Sequence, residues 1–256
     1  MILERNMIRI GTLQLDVLEV SGIKRGFGFG ANRLEVLKGV DLSLDKGELV
    51  ALMGPSGCGK STLLNIIGGL LKADSGNIKI NLRPSLNYGT KPPNQVIDVR
   101  RRGVGWIFQD FHLLDHITSL ENVILSLELA GVGSREAEQR AIMAMKKVDL
   151  EDRMMFMPNE LSGGQQQRVA VARAIAGSRP ILLADEPTGN LDVKAGESII
   201  SLFKELCSDK QNPISVLMVT HDPILASKAD RMLLMRDGIT AASDIRSAWG
   251  ESLEGQ

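Results

Sequence analysis

Residues 54–61, GPSGCGKS, place three glycines, a lysine and a hydroxyl in the order needed to hold a chain of phosphates. Gly54, Gly57 and Gly59 offer backbone N–H groups that converge on phosphate oxygens without an obstructing Cβ. Lys60 carries a positive charge toward the β- and γ-phosphates, and the Ser61 hydroxyl suits Mg²⁺. The pattern G-x-x-x-x-G-K-[ST] is filled without a gap. It follows an apolar run, ELVALM (48–53), and precedes STLLNIIGGLL (61–71), whose apolar residues recur with a helical period. This strand–loop–helix context separates a phosphate loop from a glycine-rich turn that matches by chance. Pro55, Ser56, Cys58 and Thr62 belong to the same candidate nucleotide-binding set. Lys60 and a helix N-terminus would activate the Cys58 thiol. With no base or partner thiol evident beside it, Cys58 reads instead as a small filler.

Four other stretches carry candidate chemistry. Asp185 ends the apolar strand of ILLADEP, where a carboxylate can reach the shell of a bound Mg²⁺. Glu186 follows directly and points differently, toward a water beyond the γ-phosphate, where a base is worth about 10²–10⁴ in rate. The plainer alternative is a pair of acids solvating a strand end. His221 closes VLMVTHD and suits a γ-phosphate or its attacking water, although a lone strand-end histidine is more often structural. His112 and His116 are spaced i,i+4 like metal ligands, but no third ligand lies near them in sequence. Finally, ELSGGQQQR (160–168) opens a good helix with two glycines, each costing about 1 kcal/mol relative to alanine. Ser162 and Gln165 have the spacing of a capping box, which requires no glycine pair. Something else must therefore approach the backbone at Gly163 and Gly164.

The elements that position these residues follow from periodicity. LQLDVLEV (13–20) and LEVLKGVDLSL (34–44) read as strands around a glycine-rich turn, RGFGFGAN. Residues 81–98, with three prolines, read as a surface excursion. From 118 to 150 the pattern is helical, and a further helix is predicted over 195–207. PILLADEP and ISVLMVTHD are buried-strand candidates. Apolar strands alternating with helices predict an α/β fold with a mostly parallel sheet covered on both faces. The 256 residues suffice for one elaborated domain or two small ones. Thirty basic against 31 acidic residues leave no excess for a nucleic-acid partner. Two distant cysteines exclude a disulfide framework and fit a reducing compartment. No apolar run approaches the ~18 residues of a membrane span, and MILERNMIRIG lacks the apolar core of a secretory signal.

GPSGCGKST, the glutamine of WIFQD, LSGGQ, ILLADEP, GNLD and VTHD occur in this order. Together they resemble the nucleotide-binding subunit of ATP-binding cassette (ABC) transporters, over about residues 14–240. The resemblance implies a P-loop NTPase with a RecA-like core, an N-terminal antiparallel β subdomain and an α-helical subdomain inserted at about 110–165. Residues 1–13 would be a short extension and 241–256 a tail. It also implies an ATPase using ATP and Mg²⁺, with two subunits sandwiching two nucleotides head to tail. In that arrangement Ser162, Gly163, Gly164 and Gln165 of one subunit meet the γ-phosphate in the other's phosphate loop. Phe27 matches the aromatic that stacks on adenine, usually tyrosine in this family, with Phe29 as its rival. Gln109 matches the glutamine that joins Mg²⁺ and the attacking water to the loop facing the membrane subunit. Ser61, Gln109 and Asp185 would thus serve the metal, and Lys60, Gln109, Glu186 and His221 catalysis. Asn190, Leu191 and Asp192 match the loop that crosses the dimer interface.

FHLLDHITSLENVILSLELAG, GNLD and LEVLKG look like the lipoprotein-releasing and macrolide-export group. Asp115 stands where that group usually has proline, and 81–98 lacks its expected D-G-x-D run. The implied function is to power a separate transmembrane subunit in export, with the ATPase peripheral on the cytoplasmic face of the inner membrane. The alternative is a mechanical signalling module of the cell-division type, in which the same cycle moves no solute. Family members acting on DNA or ribosomes typically have two cassettes or a coiled-coil insertion; these residues contain neither.

Overall fold

In the computed structural model, which describes residues 16–242, the chain forms two sheets and a helical layer. Strands β1 (Asp16–Phe27) and β2 (Leu34–Asp45) pair antiparallel, and β4 (Ser75–Ile80) and β5 (Leu86–Tyr88) extend them in the order β2-β1-β4-β5. The second sheet has the order β10-β9-β3-β8-β7-β6, formed by β3 (Leu49–Met53), β6 (Val104–Phe108), β7 (Ile181–Asp185), β8 (Ser215–Val219), β9 (Arg231–Arg236) and β10 (Ile239–Ala242). Five of its strands run parallel, and β10 alone is antiparallel to its neighbour. The helices are α1 (Lys60–Ile67), α2 (Ser119–Leu129), α3 (Ser134–Lys147), α4 (Gly163–Ile175), α5 (Val193–Cys207) and the short α6 (Pro223–Ala226).

The unbroken apolar runs of β3, β7 and β8 are explained by burial on both faces. Leu49, Ala51 and Met53 enter one core with Leu182, Ala184, Val216 and Met218, against α4, α5 and the α2–α3 pair. The alternate residues Val50, Leu52, Ile181, Leu183, Leu217 and Val219 enter a second core with α1 and the antiparallel sheet. The α/β fold with its antiparallel and helical subdomains is therefore present as expected.

The same pairing sets the position of the chemistry. Leu52 lies opposite Val219, Val219 opposite Asp185, and Asp185 opposite Phe108. The segments leaving β3, β6, β7 and β8 thus emerge side by side on one rim, where open parallel sheets place their ligands. These segments carry the phosphate loop, Gln109, Glu186 and His221.

Several expectations require correction. The 81–98 segment is more than a surface excursion: β5 pairs with β4, and the buried Tyr88 donates its hydroxyl to the Ile67 carbonyl. Helix α1 ends at Ile67 and does not continue through Leu71. A Cβ on Gly68 would lie 2.1 Å from the Trp106 ring, and Gly69 turns left-handed at φ 66°. The turn after β1 is shorter than RGFGFGAN, because Arg25–Phe27 still belong to the strand. Residues 13–15 of the first strand candidate, the 1–13 extension and 243–256 of the tail lie outside the described residues.

Candidate nucleotide site

The phosphate loop departs from β3 and returns as the first turn of α1. Its glycines serve different ends. A Cβ on Gly54 would lie 2.1 Å from the Met235 carbonyl oxygen, and one on Gly59 would lie 2.7 Å from Leu37 Cδ2. Gly57 has open space around it and is required by its φ of 79°. The chain's own packing thus excludes side chains at two of the three positions. Lys60 is buried, and its Nζ donates to the carbonyls of Gly54 at 2.7 Å and Pro55 at 3.0 Å. Its ammonium is held inside the loop with its Coulombic field available to an anion. Cys58 is buried, with its Sγ 3.9 Å from Lys60 Nζ, and packs with the second core.

Ser61 Oγ donates to Asp185 Oδ1 at 3.2 Å, joining the start of α1 to the end of β7. Burial pushes the Asp185 carboxyl above its ordinary pKa, while the Ser61 hydrogen bond and the Lys60 charge pull it back. A hydroxyl and a carboxylate meeting beside a phosphate loop form an oxygen donor set that fits Mg²⁺. Glu186 adopts a left-handed backbone, φ 48°, rare for a residue with a side chain. Its N–H donates to the Val219 carbonyl, and the Glu186 carbonyl accepts from the N–H of Gly189. This reversal turns the side chain toward His221, whose Nδ1 lies 2.8 Å from Glu186 Oε2. Gln109 does not join that pair by a hydrogen bond. Its Nε2 donates to Asn190 Oδ1 at 3.1 Å, and Asn190 Nδ2 donates to the Gln109 carbonyl and to Asp110.

Ser162 caps α4 with a complete capping box: its hydroxyl accepts from Gln165 N–H, and its own N–H donates to Gln165 Oε1 at 2.9 Å. The two glycines then separate. A Cβ on Gly164 would press on Ala195 Cβ at 3.2 Å, so the packing of α4 on α5 accounts for it. A Cβ on Gly163 would find only ordinary contact with Leu191 at 3.4 Å. The nearest neighbours of the pair are Phe111; Asn190 and Leu191 in the turn before α5; and Ala195 in the first turn of α5, none of them in the phosphate loop. Asp192, in that turn, caps α5 by accepting from Ala195 N–H at 2.9 Å.

Residues 37–189 match the family model described as ABC transporter. The chain belongs to this family. As an ABC ATPase it binds and hydrolyses ATP. It is 41% identical to the ABC transporter ATP-binding protein YknY of Bacillus subtilis (strain 168), over 92% of this chain and 100% of that one. It is 40% identical to the macrolide export ATP-binding/permease protein MacB of Hahella chejuensis, over 91% of this chain but only 35% of MacB. Among solved structures it resembles the dimeric bacterial ABC transporter cassette MJ0796, with a TM-score of 0.76 and 38% identity over 90% of this chain and 99% of that one. A second structure of that cassette is a dimeric post-hydrolysis state bound to ADP and Pi, with a TM-score of 0.76 and 37% identity.

In this ABC ATPase the two candidate aromatics are not equivalent. Phe27 ends β1 with the Arg25 guanidinium 4.8 Å from its ring centroid. Arg25, Arg33 and the Gly26 N–H all converge on Asp74. Phe29 is 94% exposed. Phe27 is therefore the held ring. Sequence reasoning missed Gln167, which is fully buried and donates from Nε2 to the Pro187 carbonyl at 2.7 Å. Its neighbour Gln166 bonds the carbonyls of Pro158 and Leu161. Three identical letters gave no signal that each has a different partner.

Proposed function

We propose that this ATPase powers a separate membrane subunit of the lipoprotein-releasing or efflux type, through ATP-driven head-to-tail dimerisation. The observation that carries the reading is the placement of Ser162–Gln165: hydrogen-bonded only as a cap, partly open, and surrounded by residues outside its own phosphate loop. A second copy brings a triphosphate to these N–H groups, where a helix N-terminus favours an anion. Gly163 then serves that approach, since packing within the chain leaves room for a side chain there. The partner has the permease role that MacB's name assigns to MacB. Among the described residues no helix is long and apolar enough to cross a membrane. In this reading the ATPase works at the cytoplasmic face of the inner membrane, bound to that partner.

The residues divide the work of the cycle among them. Phe27 stacks on adenine, and residues Gly54–Thr62 hold the phosphates. Ser61, Asp185 and Gln109 serve the Mg²⁺, which when bound offsets phosphate charge. Glu186 accepts a proton from the attacking water, and His221 holds the Glu186 carboxylate in line through their 2.8 Å contact. Asp192 and its neighbours face the second copy.

If dimerisation is required, ATPase rate should rise more steeply than linearly with protein concentration through the association range. A strictly linear dependence, from protein shown by light scattering to be monomeric, would sink the sandwich. Ser162→Ala separates the two tasks of that hydroxyl. Loss of a cap should lower folding stability by only about 1 kcal/mol. Dimer formation on a slowly hydrolysed ATP analogue should fall far more, as read by light scattering beside chemical denaturation. Matching losses in both would return the segment to a plain helix start.

A further inference from the structure

We propose that Gln167 is a positioning residue for Glu186, its amide linking the helix that meets the partner's nucleotide to the backbone that carries the carboxylate. The proposal rests on the reading of Glu186 as the water-activating group. Gln167 has no solvent exposure, and its Nε2 donates 2.7 Å to the carbonyl of Pro187, twenty positions away. The amide orientation is fixed, because the reverse would set two oxygens against each other. Pro187 has no N–H, so its carbonyl is the one polar backbone group by which it can be held. Glu186 immediately precedes it in a left-handed conformation that needs support from its surroundings. That support comes from three sides: Val219 on β8, Gly189 in the following turn, and Gln167 on α4 through Pro187.

The placement along α4 gives the link a direction. Gln167 lies five residues past the Ser162 cap, about 7.5 Å along one rigid helix. A shift of the cap segment toward a partner's triphosphate is therefore carried to Pro187, and so to Glu186 of the same chain. Interior packing alone is a poor account of this residue. Its Oε1 is buried with no hydrogen-bond partner, so the site carries an unsatisfied polar atom that an apolar side chain would avoid. Sealing the core does not call for an amide here; donating to one carbonyl does.

The test uses the full chain with Gln167→Met, which keeps the volume and removes the donor, and Gln167→Glu. In Gln167→Met, kcat for ATP hydrolysis should fall about 10- to 100-fold, the scale of a carboxylate displaced by a fraction of an ångström to 1 Å, with KM for ATP moving less than about twofold. In Gln167→Glu a carboxylate repels the Pro187 carbonyl, whereas a neutral carboxyl donates to it. Its activity relative to wild type should therefore rise as pH is lowered from about 8 to about 6. A kcat for Gln167→Met within about twofold of wild type overturns the proposal. So does a parallel loss of ATP affinity and kcat with a flat pH ratio, the pattern of a packing defect. If Gln167→Met does not fold, the pH ratio of Gln167→Glu decides alone, and a flat ratio overturns the proposal. Glu186→Gln run beside them keeps the two readings apart. Normal turnover by Glu186→Gln defeats the catalytic assignment itself, whereas an inactive Glu186→Gln with a normal Gln167→Met defeats only this inference.

Discussion

Glu186→Gln is expected to reduce steady-state ATP hydrolysis by about 10²–10⁴-fold, the typical worth of a positioned general base, while leaving ATP bound. The substitution exchanges a carboxylate oxygen for an amide nitrogen at nearly constant volume. The packing around Asp185, the Ser61 contact and the Lys60 cradle are untouched, since none of their hydrogen bonds involves Glu186. His221 Nδ1 keeps a side chain 2.8 Å away, but that side chain can no longer take a proton from water. With hydrolysis blocked after binding, the closed dimer should accumulate. Light scattering with ATP should report twice the monomer mass for the variant under conditions where wild type cycles back to monomer. Wild-type turnover by Glu186→Gln would remove the residue from its proposed role.

Lys60→Ala acts one step earlier and should eliminate ATP binding at millimolar nucleotide. Hydrogen bonds from a charged donor contribute roughly 1.5–3 kcal/mol each, and loss of two to the phosphates weakens affinity at least ~10²-fold. The ammonium is already held within the loop by the Gly54 and Pro55 carbonyls, so little side-chain entropy remains to be lost on binding. Far-UV circular dichroism should show a folded protein, because Lys60 bonds only to its own loop and the helix begins regardless. Titration with a fluorescent ATP analogue checks the prediction, and undiminished affinity would contradict the phosphate-loop assignment.

The parts legible in the sequence are those whose chemistry is contiguous. The phosphate loop fits because eight successive residues and their strand–helix flanks state the whole requirement. Asp185 and His221 were found at the ends of apolar runs, and the structure sets them on one rim because parallel strands end together. Strand β6 was hidden: VGWIF contains Gly105, which is needed where the Ala174 carbonyl would lie 2.7 Å from a Cβ. The β9–β10 pair carries arginines at both ends of a six-residue strand and shows no clear period. The backbone reversal at Glu186 was also invisible, since no glycine or asparagine marks it and long-range hydrogen bonds to Val219 and Gly189 support it. The capping box predicted at Ser162 was correct as local physics, yet it said nothing of Gly164, whose reason is Ala195 on another helix.

The run Gln165-Gln166-Gln167 has a consequence for how this gene can vary in length. Successive helical residues project about 100° apart, so the three amides face a cap, a neighbouring turn and the interior. A homopolymeric tract ordinarily tolerates the gain or loss of one unit, because the spelling hardly changes. Here the count is locked at both ends. Upstream stands Ser162, and downstream Arg168 reaches Val148, Asp149 and Ser198 while Val169 enters the core. Deleting one glutamine would rotate everything beyond it by a quarter turn, swinging an arginine toward the interior and the buried donor away from Pro187. A substitution thus alters the contact of one glutamine, whereas slippage displaces every contact beyond it.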